Sequence, residues 1–362
     1  MKSNKGKAIG LIILSLVIVI TLIYAKFFPH PLKEANLNGL LGGEKIGLLE
    51  SPDFKKMVEK KFRLRMDYRK AGSFAMVRET AQSGNKKNYD YLFPSSQLAL
   101  ELYKKEGGAY VQEDLVFNTP IVLYSRKMVV DALKKEEIVS ESEGTSYVDM
   151  EKLSALIVKG TKWADLGLPQ LYGNVFIDTT DPNKSNSGNM FLGLLANSLN
   201  GGRVLTVAEA DPIIAKIQFI YQQIGAMQSS SSDIFSQYLK LGVGSYPIIA
   251  GYENQILEFS KAEPEVYKQI KDDLVILYPR PTVWSSHIYI ALTEPGQRGL
   301  HALKDPEIQS LAWKNHGFRT VVSGTENTDE FQVKGIPKTI NYVMPMPSID
   351  VMLKLMNALS QS

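Results

Sequence analysis

The chain is 362 residues long, carries 41 Lys and Arg against 38 Asp and Glu, and contains no cysteine. That length suits two compact domains, and 44% hydrophobic with 22% charged residues is a globular composition, not a disordered or fibrous one. Without cysteine there is no disulfide scaffold, cysteine-ligated zinc, iron–sulfur cluster, thiol catalysis or lipid-modified amino-terminal cysteine.

The first element is apolar. Residues 8–25 (AIGLIILSLVIVITLIYA) hold no charge, and as a helix they would span roughly 27 Å, close to a hydrocarbon core of about 30 Å. Lys2, Lys5 and Lys7 precede the span and only Lys26 follows it closely. The positive-inside rule then puts the amino terminus in the cytoplasm and the rest outside, as a single-pass membrane protein. A cleaved signal peptide is the alternative, but the apolar stretch is long for one and Ile-Tyr-Ala is a poor cleavage site. Residues 1–26 contribute four lysines and no acid, so the remainder has 37 basic and 38 acidic side chains, a net charge of −1. The formal +3 therefore reports membrane topology, and no global field for nucleic acid remains.

Residues 27–43, with Pro29, Pro31 and Gly39, Gly42 and Gly43, read as a linker. Strand-to-helix units follow. Residues 45–50 read as an apolar strand and Ser51-Pro52-Asp53 as a helix start. Residues 63–68 alternate like a strand and lead through Gly72-Ser73 into a helix over 74–82. Residues 89–94 are a third strand, with Ser95-Ser96 before a helix over 97–105. Three such units in succession predict an open α/β sheet, mostly parallel. Each turn places a serine at a helix amino terminus, where unpaired N–H groups and the dipole favour anions.

Residues 113–125 read as an extended crossing, and 131–149 as a charged helix-to-loop segment. Residues 148–156 read as a helix and 174–178 as a strand. The most specific segment follows: Thr179-Thr180-Asp181-Pro182-Asn183-Lys184-Ser185-Asn186-Ser187-Gly188-Asn189, running into an apolar helix. Ser229–Ser232 read as a flexible low-complexity loop.

Asp-Pro-x-x-Ser-Asn-Ser-Gly between a strand and a helix resembles the second-lobe anion loop of type II extracytoplasmic solute-binding proteins, the molybdate, sulfate and ferric-iron group. Residues 244–258, with Gly-Tyr-Glu at 251–253, resemble a later second-lobe strand and helix. Residues 274–292 resemble the return crossing, and 303–318 the terminal helix ending in Gly-Phe. The resemblance covers about 44–320. It implies a two-lobed α/β fold with a ligand cleft between the lobes, and the apolar run at 8–25 places one transmembrane helix ahead of that fold. Lobe 1 would hold 44–118 and 282–320, lobe 2 would hold 119–281, and 321–362 would be a carboxy-terminal extension ending in a helix over 348–359. Three departures stand out: an apolar anchor replaces the lipoprotein cysteine, Glu50 and Asp53 crowd the first turn, and the extension exceeds the usual ending.

The candidate ligand-binding residues are Ser51, Ser73, Ser95, Ser96, Asn186, Ser187, Gly188, Tyr252, Glu253 and Arg280. Serine and asparagine offer donors at helix starts, Gly188 allows close approach, and Arg280 could take an anion bidentately. His287 reads as a core residue, and the histidines show no metal-ligand spacing. No nucleophile–base pair, Walker loop or dinucleotide fingerprint emerges, so an enzyme is not expected and no cofactor is implied. The expected function is capture of a small oxyanion, or another small anionic or polar solute, by hinge closure, for a transporter permease or other membrane partner. The alternative is a ligand-free adaptor or sensor domain of a membrane complex with the same fold.

Overall fold

The computed structural model describes residues 12–17, 33–321 and 327–360. The expected membrane span lies largely outside the described residues. Within it, residues 12–17 are helical and exposed, and among the described residues no helix is long and apolar enough to cross a membrane.

The chain runs β1 (Ala35–Leu41), a single 3-10 turn (Gly43–Lys45), α1 (Ile46–Glu50), α2 (Pro52–Phe62), β2 (Leu64–Lys70), α3 (Ser73–Ser83), β3 (Tyr91–Phe93) and α4 (Gln97–Lys105). Then come β4 (Gln112–Arg126), α5 (Lys127–Lys135), the hairpin β5 (Val139–Ser142) and β6 (Thr145–Val148), and α6 (Met150–Val158). After a long irregular segment follow α7 (Asn186–Leu199), α8 (Ala210–Ile224), α9 (Ser231–Leu241), β7 (Ile248–Tyr252), α10 (Glu253–Ala262) and α11 (Pro264–Ile270). The chain closes with β8 (Leu274–Pro279), β9 (Trp284–Ala291), α12 (Glu294–Leu303), α13 (Pro306–His316), β10 (Arg319–Thr320) and α14 (Ile349–Ser360).

Two mixed sheets share one strand. In lobe 1, β1 lies parallel between β2 and β3, and β9 joins β3 to β4 antiparallel. In lobe 2, β7 and β8 flank the second half of β4, and β6 and β5 extend the edge beyond β8. The 15-residue β4 thus pairs with β9 up to Pro120 and with β7 and β8 from Ile121 onward, which makes it a connection between lobes. The segment between β8 and β9 is a second connection.

Several expected elements are replaced. The segment expected as a linker contains β1, a central strand, and the expected strand at 45–50 is a 3-10 turn and a short helix. The reason is register: Gly39 packs directly over the Tyr91 ring, and Leu37, Leu40 and Leu41 are fully buried. A parallel strand buried on both faces needs only such a short run. The charged segment 131–149 includes the β5–β6 hairpin. Residues 174–178 form isolated bridges, with Asp178 against Ile249, instead of a strand.

Apolar residues cover nearly every face of α7, so it is buried almost throughout. One core cluster runs across the lobes, from Phe74 and Leu98 through Met190 and Phe191 to Met352 and Leu355 of α14. In α14 Val351, Met352, Leu355 and Met356 form the buried stripe, and Ser348 Oγ accepts from Val351 N–H at 3.4 Å. This helix packs on α8 and α7 of lobe 2 and on α4 of lobe 1. Lys105 of α4 pairs with Asp350, and Lys354 with Asp211 at 2.6 Å. The extension therefore joins both lobes.

Candidate functional site

The turns that leave the lobe-1 strands face the loops that open the lobe-2 helices. Between them is a cavity of about 320 Å³, walled by Gly42, Gly43, Glu44 and Lys70–Ser73 on one side and by Lys184–Asn186 and Ser229–Ser231 on the other. That volume is at the lower end of small-molecule sites. Three helices begin at its wall. The cap residues are Gly72 for α3, Ser185 for α7 and Ser230 for α9, and none caps its helix through a side chain. First-turn N–H groups without intrahelical partners, three positive dipole ends and several hydroxyls thus line one small space. Lys70 and Lys184 add cationic heads, each with an acid nearby: Asp233 at 4.0 Å and Asp181 at 3.0 Å.

The floor of this cleft is a buried polar cluster. Lys45 Nζ donates to Glu44, to Ser95 Oγ at 2.5 Å and to His287 Nδ1 at 3.2 Å. Ser95 Oγ also contacts Glu44, and the Ser95 N–H donates to Ser73 Oγ at 2.9 Å. Burial opposes ionisation of Glu44, but the Lys45 ammonium and the hydrogen bonds from Lys45 and Ser95 outweigh it and hold its carboxyl down at about 2. Burial pulls the Lys45 ammonium down, and Glu44 pulls it back. Burial, and then the Lys45 charge, push His287 well below its ordinary value, so the ring is neutral at pH 7. With Nδ1 accepting from Lys45, the proton sits on Nε2 in this assignment.

Lobe 2 reaches this cluster through Asn186 and Tyr252. Asn186 Nδ2 donates to the Ser95 carbonyl at 2.8 Å and to Tyr252 Oη at 3.0 Å, while Ser285 Oγ donates to the same carbonyl at 2.6 Å. The lobes are therefore latched together at the cleft floor. Gly72 tightens the contact: a Cβ there would lie 2.2 Å from the Lys184 carbonyl oxygen of the opposite lobe.

Glu44 has a consequence for acid stability. Its folded pKa lies below the unfolded value, so it stabilises the fold above about pH 4.5, and that contribution fades as pH falls toward 2. Glu44→Gln leaves the Lys45 ammonium buried without its counter-charge and should cost about 3–5 kcal/mol at pH 7. Denaturant titrations of both chains should show the gap narrowing below pH 4.5. A gap independent of pH would refute the assignment.

The predicted site residues divide. Ser73 and Asn186 line the cavity, and Ser95 and Tyr252 belong to the floor cluster. Ser187 lies behind the wall, bonded to Thr180 Oγ1 at 2.8 Å and Ser185 Oγ at 3.1 Å. A Cβ on Gly188 would meet the Thr180 carbonyl oxygen at 2.1 Å, so its smoothness serves packing inside lobe 2.

Four of the predicted residues lie away from this cavity. Ser51 precedes α2 and lines no part of the cleft, because the turn at the cavity wall follows β1 and not residues 45–50. Ser96 caps α4 by accepting from Leu98 N–H at 3.2 Å, and it faces a separate, more apolar cavity with Met190, Trp284 and Met344. Glu253 is fully buried in an ion pair: Arg319 Nε and Nη2 donate to its two oxygens at 2.7 and 2.8 Å, and Tyr278 Oη donates at 2.7 Å. Arg280 lines a different cavity altogether. Ser229–Ser232 is likewise no flexible loop but the start of α9, with Ser230 and Ser231 buried.

Sequence reasoning missed Glu44, Lys45, Lys70, Lys184 and Ser229–Ser231. A signal existed for the last of these: hydroxyl residues directly before an apolar helix, the same cue used for Ser73 and Ser95. No ordinary cue marks Glu44 and Lys45 once β1 is mistaken for a linker.

No protein-family model and no curated sequence matches this chain. Solved structures do. The fold is similar to a periplasmic thiamin binding protein (TM-score 0.62, 11% identity, 91% of this chain and 97% of that one). It is similar to the substrate binding protein of an ABC transporter from Agrobacterium tumefaciens (0.58, 16%, 90% and 95%). It is also similar to the periplasmic binding protein AfuA from Actinobacillus pleuropneumoniae, solved with fructose-6-phosphate (0.58, 13%, 91% and 98%). The chain therefore has the two-lobed type II periplasmic-binding-protein fold. At these identities the likeness establishes the fold and leaves the ligand open.

Proposed function

We propose that this chain is a solute-binding protein that closes on a small oxyanion, or a similar small anionic or polar solute, in the cavity between Gly42–Ser73 and Lys184–Ser231. The observation that carries this is the convergence of three helix starts, from both lobes, on one polar cavity. Donors split between lobes make a bound anion favour the closed form, because only closure brings both halves into contact with it. The solute would pass to a transporter permease or other membrane partner, with the apolar segment at 8–25 as a single-pass tether and the folded domain extracytoplasmic. No bond is made or broken in this account.

Melting the full-length chain with sulfate, phosphate, molybdate and thiamine should give a rise with at least one oxyanion: about 2.7 kcal/mol of stabilisation at a hundredfold excess over Kd. Asn186→Ala should weaken that binding at least tenfold. A rise that is unchanged in the variant would remove Asn186 from the site, and no rise with any oxyanion would favour the alternative. That alternative is an adaptor with a sealed cleft. One observation speaks for it: Asn186 latches the lobes through the Ser95 carbonyl, with the chain's own Glu44–Lys45 pair at the floor. A partner should then depend on residues 348–362, whatever small molecules are present.

A further inference from the structure

We propose a second ligand site, separate from the interlobe cleft, in which Arg280 takes the carboxylate or phosphate group of a small organic anion. A cavity of about 620 Å³, roughly twice the cleft's volume, lies between the β5–β6 hairpin, the β8–β9 connection and residues 336–342 of the extension. It shares no lining residue with the cleft.

Arg280 has an unusual setting. Its guanidinium carbon lies 3.3 Å from the Tyr147 ring centre and 4.5 Å from that of Tyr342. Two aromatic rings therefore lie against the guanidinium. Such stacking explains the position of the side chain as a strut between hairpin and extension. It does nothing for the N–H groups, which point outward in the plane. Nε is buried with no acceptor, and among the described residues no carboxylate pairs with Arg280. The neighbouring arginine shows the difference: Arg319 has the same chemistry and is fully engaged, with both Glu253 oxygens and the Pro337 carbonyl. Because its donors lie in the plane, Arg280 meets an acceptor at its edge. A planar or tetrahedral oxyanion fits that edge bidentately.

The remaining walls narrow the ligand. Lys338 adds one cation, while Glu143 and Asp329 add two acids, so the charged side chains around the cavity sum to zero. That disfavours a polyanion and favours a single carboxylate or phosphate on a small body. Tyr278, Tyr342 and Ile336 offer apolar surface for that body. Because residues 336–342 form one wall, the extension completes the site.

Calorimetric titration of the full-length chain with inorganic phosphate and with benzoate tests this independently of the cleft. The measurement uses wild type, Arg280→Met, Arg280→Lys and the cleft variant Gly72→Val. At least one probe should bind wild type and Gly72→Val alike, and bind Arg280→Met at least tenfold more weakly. Arg280→Lys keeps the stem and charge, so it guards against a folding defect, and it should also lose at least tenfold because an ammonium cannot fork. Binding of benzoate alone assigns a carboxylate ligand, and of phosphate alone a phosphate monoester. No binding of either probe to wild type, or unchanged affinity in both Arg280 variants, would overturn the site and leave Arg280 as a strut. Loss in Gly72→Val with retention in Arg280→Met would place the anion in the cleft instead.

Discussion

Replacing Arg319 with methionine should cost about 3–5 kcal/mol of stability, among the largest single-residue losses expected in this chain. Glu253 is fully buried, and Arg319 supplies two of its three hydrogen bonds. Removing the guanidinium leaves a carboxylate held only by Tyr278 in a dry setting. It also frees the Pro337 and Lys338 carbonyls that Arg319 ties down, and so loosens the extension. Denaturant unfolding measures the loss. The double variant Glu253→Gln/Arg319→Met should recover at least half of it, because no uncompensated charge then remains. A loss under about 1 kcal/mol would mean that water reaches Glu253 and the pair is an ordinary surface contact.

The second large effect is on closure. Gly72 has φ −68° and ψ 149°, a conformation open to any residue. The backbone admits a valine there, and the smaller entropy of the unfolded chain even favours it. The obstruction comes from the other lobe, since the new Cβ would lie 2.2 Å from the Lys184 carbonyl oxygen. Gly72→Val should therefore stay folded while losing at least tenfold, about 1.4 kcal/mol, in affinity for any cleft ligand. Solution scattering should show a larger radius of gyration. A variant as compact and as competent as wild type would show that the lobes meet differently at this point.

Much of this site was legible in the residues themselves. Ser73 and Asn186 stand where a helix starts after a polar turn, and local chemistry dictates such starts. The lobe order followed from a resemblance carried mainly by Asp181–Gly188. What was hidden is tertiary. β1 is rich in asparagine and glycine and lies beside prolines, so its local pattern is that of a linker. Only its place between two parallel neighbours makes it a strand. Misplacing it moved the first turn at the candidate cavity from Gly42–Glu44 to Ser51. Glu253 had the chemistry of a ligand residue. Whether a carboxylate meets a solute or an arginine depends on Arg319, 66 residues away. Serine runs are equally ambiguous: Ser229–Ser232 reads as low complexity until an apolar helix is seen to follow.

Two lobes that close on a small oxyanion change their separation when it binds. The absence of cysteine makes a direct measurement clean, because introduced cysteines carry the only spin labels. Lys60→Cys on exposed α2 of lobe 1 and Lys216→Cys on exposed α8 of lobe 2 report the separation of the lobes. Pulsed dipolar spectroscopy of the labelled full-length chain, with and without sulfate, phosphate or molybdate, should show a long and a short distance. At least one oxyanion should collect the population into the short one, and Gly72→Val should hold it in the long one. A single distance, unmoved by every oxyanion and by Gly72→Val, would contradict the account.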